Sequence, residues 1–322
     1  MDTQEICDLG RTVIEIEAKM ITNLIDRIDE KFAQACHHLK ACLGRIVVMG
    51  VGKSGHIGKK IAATFASTGS PAFFVHPNEA KHGDMGMITQ QDVVISLSNS
   101  GESEEILSVL PFLKRLNIPI IALTGKPHSR LAKAATIHLD ISVEKEACPL
   151  GLAPTSSSTA TLVMGDALAM VLLQQRGFSE QDFALSHPGG SLGRRLLLRV
   201  DEIMHQNDAL PIVRADTSLK EALIVMTQKK LGGTVVVDDA GQLVGVFTDG
   251  DLRRALNQEM NIQSTPIHQV MNKHPKTISA DLLAAEALQV MENYKITSLI
   301  ITDKNQPKGL VHIHDIFQAG IA

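Results

Sequence analysis

Three loops of this chain bring hydroxyls, glycines and one lysine to the ends of apolar runs. In "VVMGVGKSGHIGKK" (47–60), Gly50, Gly52 and Gly55 surround Lys53 and Ser54. In "SLSNSGESEE" (96–105), Ser98, Asn99, Ser100, Gly101 and Ser103 precede a helix expected to start near Glu102. In "PTSSSTAT" (154–161), Thr155, Ser156 and Ser157 open another. Hydroxyls and amides at a helix N-terminus donate hydrogen bonds along the helix dipole, which suits a phosphate monoester. A single serine-rich turn is ordinarily just an N-cap. Three of them at strand ends favour a phosphate pocket.

Two nucleotide readings of the glycine loop fail. A dinucleotide site needs an acidic residue about twenty positions further on, at the end of the second strand, to hold a ribose. That strand ends "FFVHP", offering His76 and Pro77. A Walker A loop needs glycine five positions before Gly52, where this chain has Val47. What remains is a turn of backbone amides, a lysine, a hydroxyl and a helix start, which is a place for an anion.

The elements that must carry these loops can be read from apolar periodicity. Ile6, Leu9, Val13, Ile16, Met20, Leu24, Ile28 and Phe32 recur at helical spacing and predict one long N-terminal helix. From residue 45 the pattern changes to short, largely apolar runs separated by helix-length segments: 45–49, 72–75, 92–97, 118–123 and 136–141. Such runs are buried on both faces, so they predict a five-stranded parallel, doubly wound α/β sheet with ligands at the carboxyl ends of its strands.

Composition excludes several classes. The chain has 322 residues, 31 basic against 35 acidic side chains, a net charge of −4, no Trp and one Tyr. A nucleic-acid partner would favour a basic excess and stacking aromatics. The N-terminus lacks a basic region before an apolar core, and the apolar stretch 159–173 is short and interrupted by Asp166. The expectation is a cytoplasmic protein with no membrane or nucleic-acid partner. Cys7, Cys36, Cys42 and Cys148 lack metal-site spacing.

After residue 200 the chain repeats itself. "DEIMHQN" and "GVFTDGDL" in one copy are echoed by "HQVMNKH" and "GLVHIHDI" in the next, with Gly245 and Asp251 matching Gly309 and Asp315. Each copy reads as helix, strand, strand, helix, and each is too small to stand alone, so the two should pack as a pair. The repeat resembles a tandem of cystathionine-β-synthase-type (CBS) modules, at 201–260 and 264–322. That resemblance implies a regulatory nucleotide or sugar-nucleotide effector, with Thr248 and Asp251 at its ribose. His312 stands where the second copy should have Thr, which weakens a second site.

The first 200 residues resemble a sugar isomerase (SIS) domain. With the tandem tail, the chain resembles the D-arabinose-5-phosphate isomerase family. The resemblance is carried by "GVGKSGHIGKKIAATFASTG" (50–69), "HPNEAKHGDMG" (76–86), "SNSGESEE" (98–105), "KEACPLGLAPTSSSTATLVMGDALA" (145–169) and "ALSHPGGSLGRRL" (184–196). It implies reversible interconversion of D-ribulose 5-phosphate and D-arabinose 5-phosphate through an enediol, supplying 3-deoxy-D-manno-octulosonate for lipopolysaccharide, with no cofactor and as a homotetramer. A carboxylate shielded from water, its pKa raised, would shuttle the proton. The resemblance points to Glu105 first, Glu146 as the alternative base, Lys53 for the enediolate or phosphate charge, and His187, in trans, for shuttling protons between hydroxyls or opening the sugar ring. It adds Gly69, Ser70 and His82 to the substrate pocket, and assigns His76 to an inhibitory zinc site. Two readings compete with it: a non-catalytic phosphosugar sensor, and an isomerase of another sugar phosphate.

Overall fold

A computed structural model of the chain describes residues 1–258 and 260–321. The chain divides into two compact units, Met1–Ser186 and His187–Ala322.

In the first unit, five strands alternate with helices. These are β1 (Ile46–Gly50), β2 (Ala72–Val75), β3 (Val93–Leu97), β4 (Ile120–Thr124) and β5 (Ile137–Asp140). They pair in the order β2-β1-β3-β4-β5, all parallel, with Val48 opposite Ile95 and Leu97 opposite Leu123. Every residue of β1, β3 and β4 is buried. The reason is the covering of both faces. One core cluster holds Val48, Ile95, Leu123 and Phe65, and the other holds Val47, Met49, Val94 and Leu113.

The helices of this unit are α1 (Thr3–Thr22), α2 (Glu30–Lys40), α3 (Gly52–Ser67), α4 (Pro77–Lys81), α5 (Glu104–Leu107), α6 (Leu110–Arg115), α7 (Arg130–Ala134), α8 (Ser156–Arg176) and α9 (Glu180–Ser186). The single N-terminal helix expected from periodicity is two. Asp29 accepts hydrogen bonds from the Lys31 and Phe32 amides at 2.8 and 3.2 Å, so it starts a new helix rather than continuing the old one. The apolar stripe then divides: Met20, Leu24 and Phe32 are buried, whereas Ile6, Leu9 and Val13 are exposed.

Helix α8 is long and apolar enough to cross a membrane by length and composition, but half of its most apolar window is buried inside the unit. It packs on α3. A Cβ on Gly165 would meet Ile61 Cδ1 at 2.5 Å, so only glycine lets the two helices come this close. Lys60 bonds both oxygens of Asp166 at 2.6 and 2.7 Å, which accounts for the acid that interrupts this apolar stretch.

The second unit contains α10 (Ser191–Leu197) and two copies of one motif. The first is β6 (Ile212–Arg214), α11 (Leu219–Lys229), β7 (Gly233–Val237), β8 (Leu243–Thr248) and α12 (Asp249–Asn257). The second is β9 (Thr277–Ile278), α13 (Ala284–Tyr294), β10 (Ser298–Asp303), β11 (Gln306–His312) and α14 (Ile313–Gln318). Each copy therefore opens on a short strand that the four-element reading omitted. The openings are also exchanged. The Val200 and Asp201 amides bond to Leu282 and Ala280, and His205 pairs with Leu310, so the start of copy one lies on copy two. Reciprocally, Asn272 pairs with Val246. Met204 lies against Gly309 and Met271 against Gly245, where any side chain would collide with the methionine.

Candidate active site

The strand order places a topological switch between β1 and β3: the chain leaves β1 toward one edge of the sheet and β3 toward the other. Ligands of doubly wound folds bind in the crevice at that point, outside the carboxyl ends of the strands. The first two serine and glycine loops follow β1 and β3, so the topology brings them side by side.

After β1, Gly52 has φ +57°, the left-handed region, and α3 begins at once. Lys53 lies exposed on its first turn and Ser54 half-buried beside it. After β3, Ser98 is buried. Its hydroxyl meets Ser103 Oγ at 2.9 Å and accepts from the Gly101 amide at 3.0 Å. Ser100 Oγ accepts from the Glu102 amide at 3.2 Å. Ser98 and Ser103 thus shape the loop, while Asn99, Ser100 and Glu102 are exposed. The helix begins at Glu104, and Glu105 occupies its first turn, half-buried, with no side-chain hydrogen bond among the described residues.

Arg130 braces this loop from the next strand connection. Its amide and Nε donate to Glu102 at 2.8 and 2.6 Å, and a terminal nitrogen donates to Glu104 at 2.6 Å. The side-chain bond from Arg130, followed by its backbone bond, holds the Glu102 carboxyl below its ordinary value. No motif signals this residue, because its partners lie 26 and 28 positions away.

The third loop reaches the same edge through α8. Arg176, at the end of α8, donates to the Gly69 carbonyl just past the end of α3 at 3.1 Å, and Gly165 meets Ile61 midway. The two helices therefore run parallel. Gly165 and Ile61 each lie nine residues from the first residue of their own helix. The two N-termini consequently sit together, and their dipoles add at the carboxyl edge of the sheet.

At the α8 N-terminus, Glu146 Oε2 accepts from Thr155 N at 2.8 Å, Thr155 Oγ1 at 2.9 Å and Ser157 N at 3.3 Å. Burial pushes this carboxyl up, but the hydrogen bonds from Ser157 and Thr155 outweigh burial and hold it below the ordinary value. A raised pKa is what a shuttling carboxylate was expected to show, and for Glu146 that expectation is corrected. The donors stabilise the ionised form more than partial burial penalises it. Ser156 is fully buried, with its hydroxyl unpartnered.

The SIS domain family matches residues 41–171, and the CBS domain family matches 200–258 and 267–321. The chain is 57% identical over 313 residues to arabinose 5-phosphate isomerase KdsD of Pseudomonas aeruginosa, covering 97% of this chain and 96% of that one. It is 54% identical over 312 residues to the protein of the same name from Escherichia coli K12, covering 97% and 95%. This chain belongs to the arabinose 5-phosphate isomerase family. Among solved structures, it is similar to a protein of E. coli CFT073 in complex with arabinose 5-phosphate, with a TM-score of 0.57 and 46% identity, covering 58% of this chain and all of that one.

Some expected site residues lie elsewhere. Gly69 and Ser70 precede β2, so they sit at the amino edge of the sheet, opposite the crevice. Their task there is a turn. Gly69 has φ +84° and is packed by Phe178, and the Ser70 amide bonds to the Phe65 carbonyl at 2.9 Å. His76 does follow β2, but its Nδ1 accepts from the Asn78 amide at 3.2 Å and caps α4. Among the described residues no three His, Cys, Asp or Glu side chains are placed to hold a metal ion, so an inhibitory zinc at His76 lacks a ligand set there. His82 is exposed at the end of α4.

His187 opens the second unit, in the turn before α10, where its carbonyl accepts from the Gly190 amide at 3.0 Å. In the first CBS copy, Asp251 is buried. It accepts from the Thr248 amide at 2.9 Å and hydroxyl at 2.7 Å, and it pairs with Arg254. In the second copy, Asp315 is instead engaged by His205 Nε2 at 3.1 Å.

Proposed function

We propose that this chain reversibly isomerises D-ribulose 5-phosphate and D-arabinose 5-phosphate. The observation that carries this reading is the convergence of Lys53, the Ser98–Ser103 loop and the α8 N-terminus at one switch point. The near full-length likeness to curated arabinose 5-phosphate isomerases supports it.

In this reading the phosphate lies against Ser54, Asn99, Ser100 and the start of α5. Lys53 stabilises negative charge on the substrate, a contribution of about 3 kcal/mol for a well-placed donor. A carboxylate, Glu105 or Glu146, takes the C1 proton of the ketose; the resulting enediolate is then protonated at C2 to give the aldose. His187, supplied by a neighbouring subunit, moves the hydroxyl proton that opens the aldose ring. The enzyme works in the cytoplasm as a homotetramer, feeding 3-deoxy-D-manno-octulosonate and lipopolysaccharide synthesis. The CBS pair takes a nucleotide or sugar-nucleotide at Thr248 and Asp251.

Single Glu105→Gln and Glu146→Gln variants test the chemistry. The variant lacking the base should lose about 10³-fold in kcat with the fold intact. Near wild-type turnover in both would overturn the enediol reading.

A further inference from the structure

Thr155 was expected to help bind phosphate, yet its polar atoms are engaged in another way. It is the N-cap residue of α8, and its hydroxyl caps nothing. Instead it accepts from the Ala147 amide at 2.8 Å and lies 2.9 Å from Glu146 Oε2. A hydroxyl has one proton, and the Ala147 amide can only donate. The Thr155 proton is therefore directed at Glu146. The other two groups on Oε2, the amides of Thr155 and Ser157, are likewise obligate donors. Three donors on one oxygen favour the ionised form and leave Oε1 as the only oxygen of this carboxyl that can carry a proton. These three bonds all fall on Oε2, and the Ser157 hydroxyl adds to the stabilisation of the ionised form.

We propose that Thr155 is a positioning residue for Glu146 and not a phosphate ligand: it clamps Oε2 and presents Oε1 as the atom that receives the substrate proton. This rests on the isomerase reading and deepens it. The Ser157 amide completes the clamp, and the Glu146 carboxylate takes the capping place at the α8 N-terminus. Glu146 is thus assigned as the base in the ketose-to-aldose direction. The proton passes from C1 to Oε1, leaving the electron pair on the enediolate.

The test is the pH dependence of kcat for the full chain with D-ribulose 5-phosphate, comparing wild type, Thr155→Val and Thr155→Ser. Valine keeps the shape but removes the donated proton. The acid limb reports Glu146 ionisation, so losing a donor raises that pKa and moves the limb to higher pH, by about one unit. kcat should fall, KM should change little, and serine should restore both limb and rate. A raised KM with kcat and acid limb unmoved would make Thr155 a phosphate ligand and overturn the proposal.

A 13C titration of the Glu146 carboxyl in the wild-type protein, assigned with Glu146→Gln, keeps the test open if the valine variant misfolds. A midpoint below the ordinary glutamate value of about 4.3 is expected, and one at or above it would overturn the clamp. This titration requires no turnover. A wild type that does not isomerise the sugar would therefore fail the functional reading separately from the clamp.

Discussion

The two edges of the SIS sheet are built from similar residues and use them oppositely. At the amino edge the polar groups face inward and are mostly paired. Buried Asp92 accepts from the Arg45 and Thr89 amides, each at 2.7 Å, and the Gly44 amide bonds to the Gln91 carbonyl at 2.9 Å. At the carboxyl edge Lys53, Asn99 and Ser100 stand exposed, and Glu146 keeps one oxygen outside its clamp. The difference teaches that glycine, serine and charge mark a site only when they follow a parallel strand. Before a strand, the same residues close a turn.

Breaking each edge should give a different phenotype. Turnover suffers most at the carboxyl edge, where, next after the loss of the base itself, Lys53→Ala should lower kcat/KM about 100-fold, the equivalent of about 3 kcal/mol, with an unchanged melting temperature. An unfolding midpoint that falls with the activity would make Lys53 structural and blur the contrast.

At the amino edge Asp92→Ala should do the reverse. It leaves two inward amides without their acceptor, at about 1–3 kcal/mol each. The midpoint of thermal unfolding should drop by several degrees, while kcat/KM at low temperature stays near wild type. The smallest effect is expected at Ser70, whose hydroxyl is buried and unpartnered. Ser70→Ala should leave turnover unchanged and leave the midpoint level or slightly raised, since a buried unsatisfied group is removed. A large loss of activity there would return Ser70 to the substrate pocket.

Much of this contrast was legible before the structure. Short, largely apolar runs such as "VVISL", separated by helix-length segments, read as strands covered on both faces, so the parallel sheet and its ligand edge followed from pattern. The misplacement of Gly69 and Ser70 came from following a stretch of family likeness past the end of α3 and around to the far edge. Sequence likeness does not distinguish residues that fold a domain from those that touch its ligand. The Glu146 clamp was not legible either. A Glu followed nine residues later by a threonine has no local signature, and the direction of its pKa depends on which donors the loop returns to it. The exchanged openings of the CBS copies were hidden for a similar reason. Met204 belongs to the opening of its own copy but packs on Gly309 of the other, and a repeat reads the same whether or not its first segment is exchanged.

The central claim is that this crevice moves a proton between adjacent carbons of a pentose phosphate. The most direct measurement is to incubate the purified protein with D-ribulose 5-phosphate in deuterated water and follow the products by NMR. The account predicts arabinose 5-phosphate carrying solvent deuterium at C2, lost in Glu146→Gln. Formation of no arabinose 5-phosphate by the wild-type protein would contradict it.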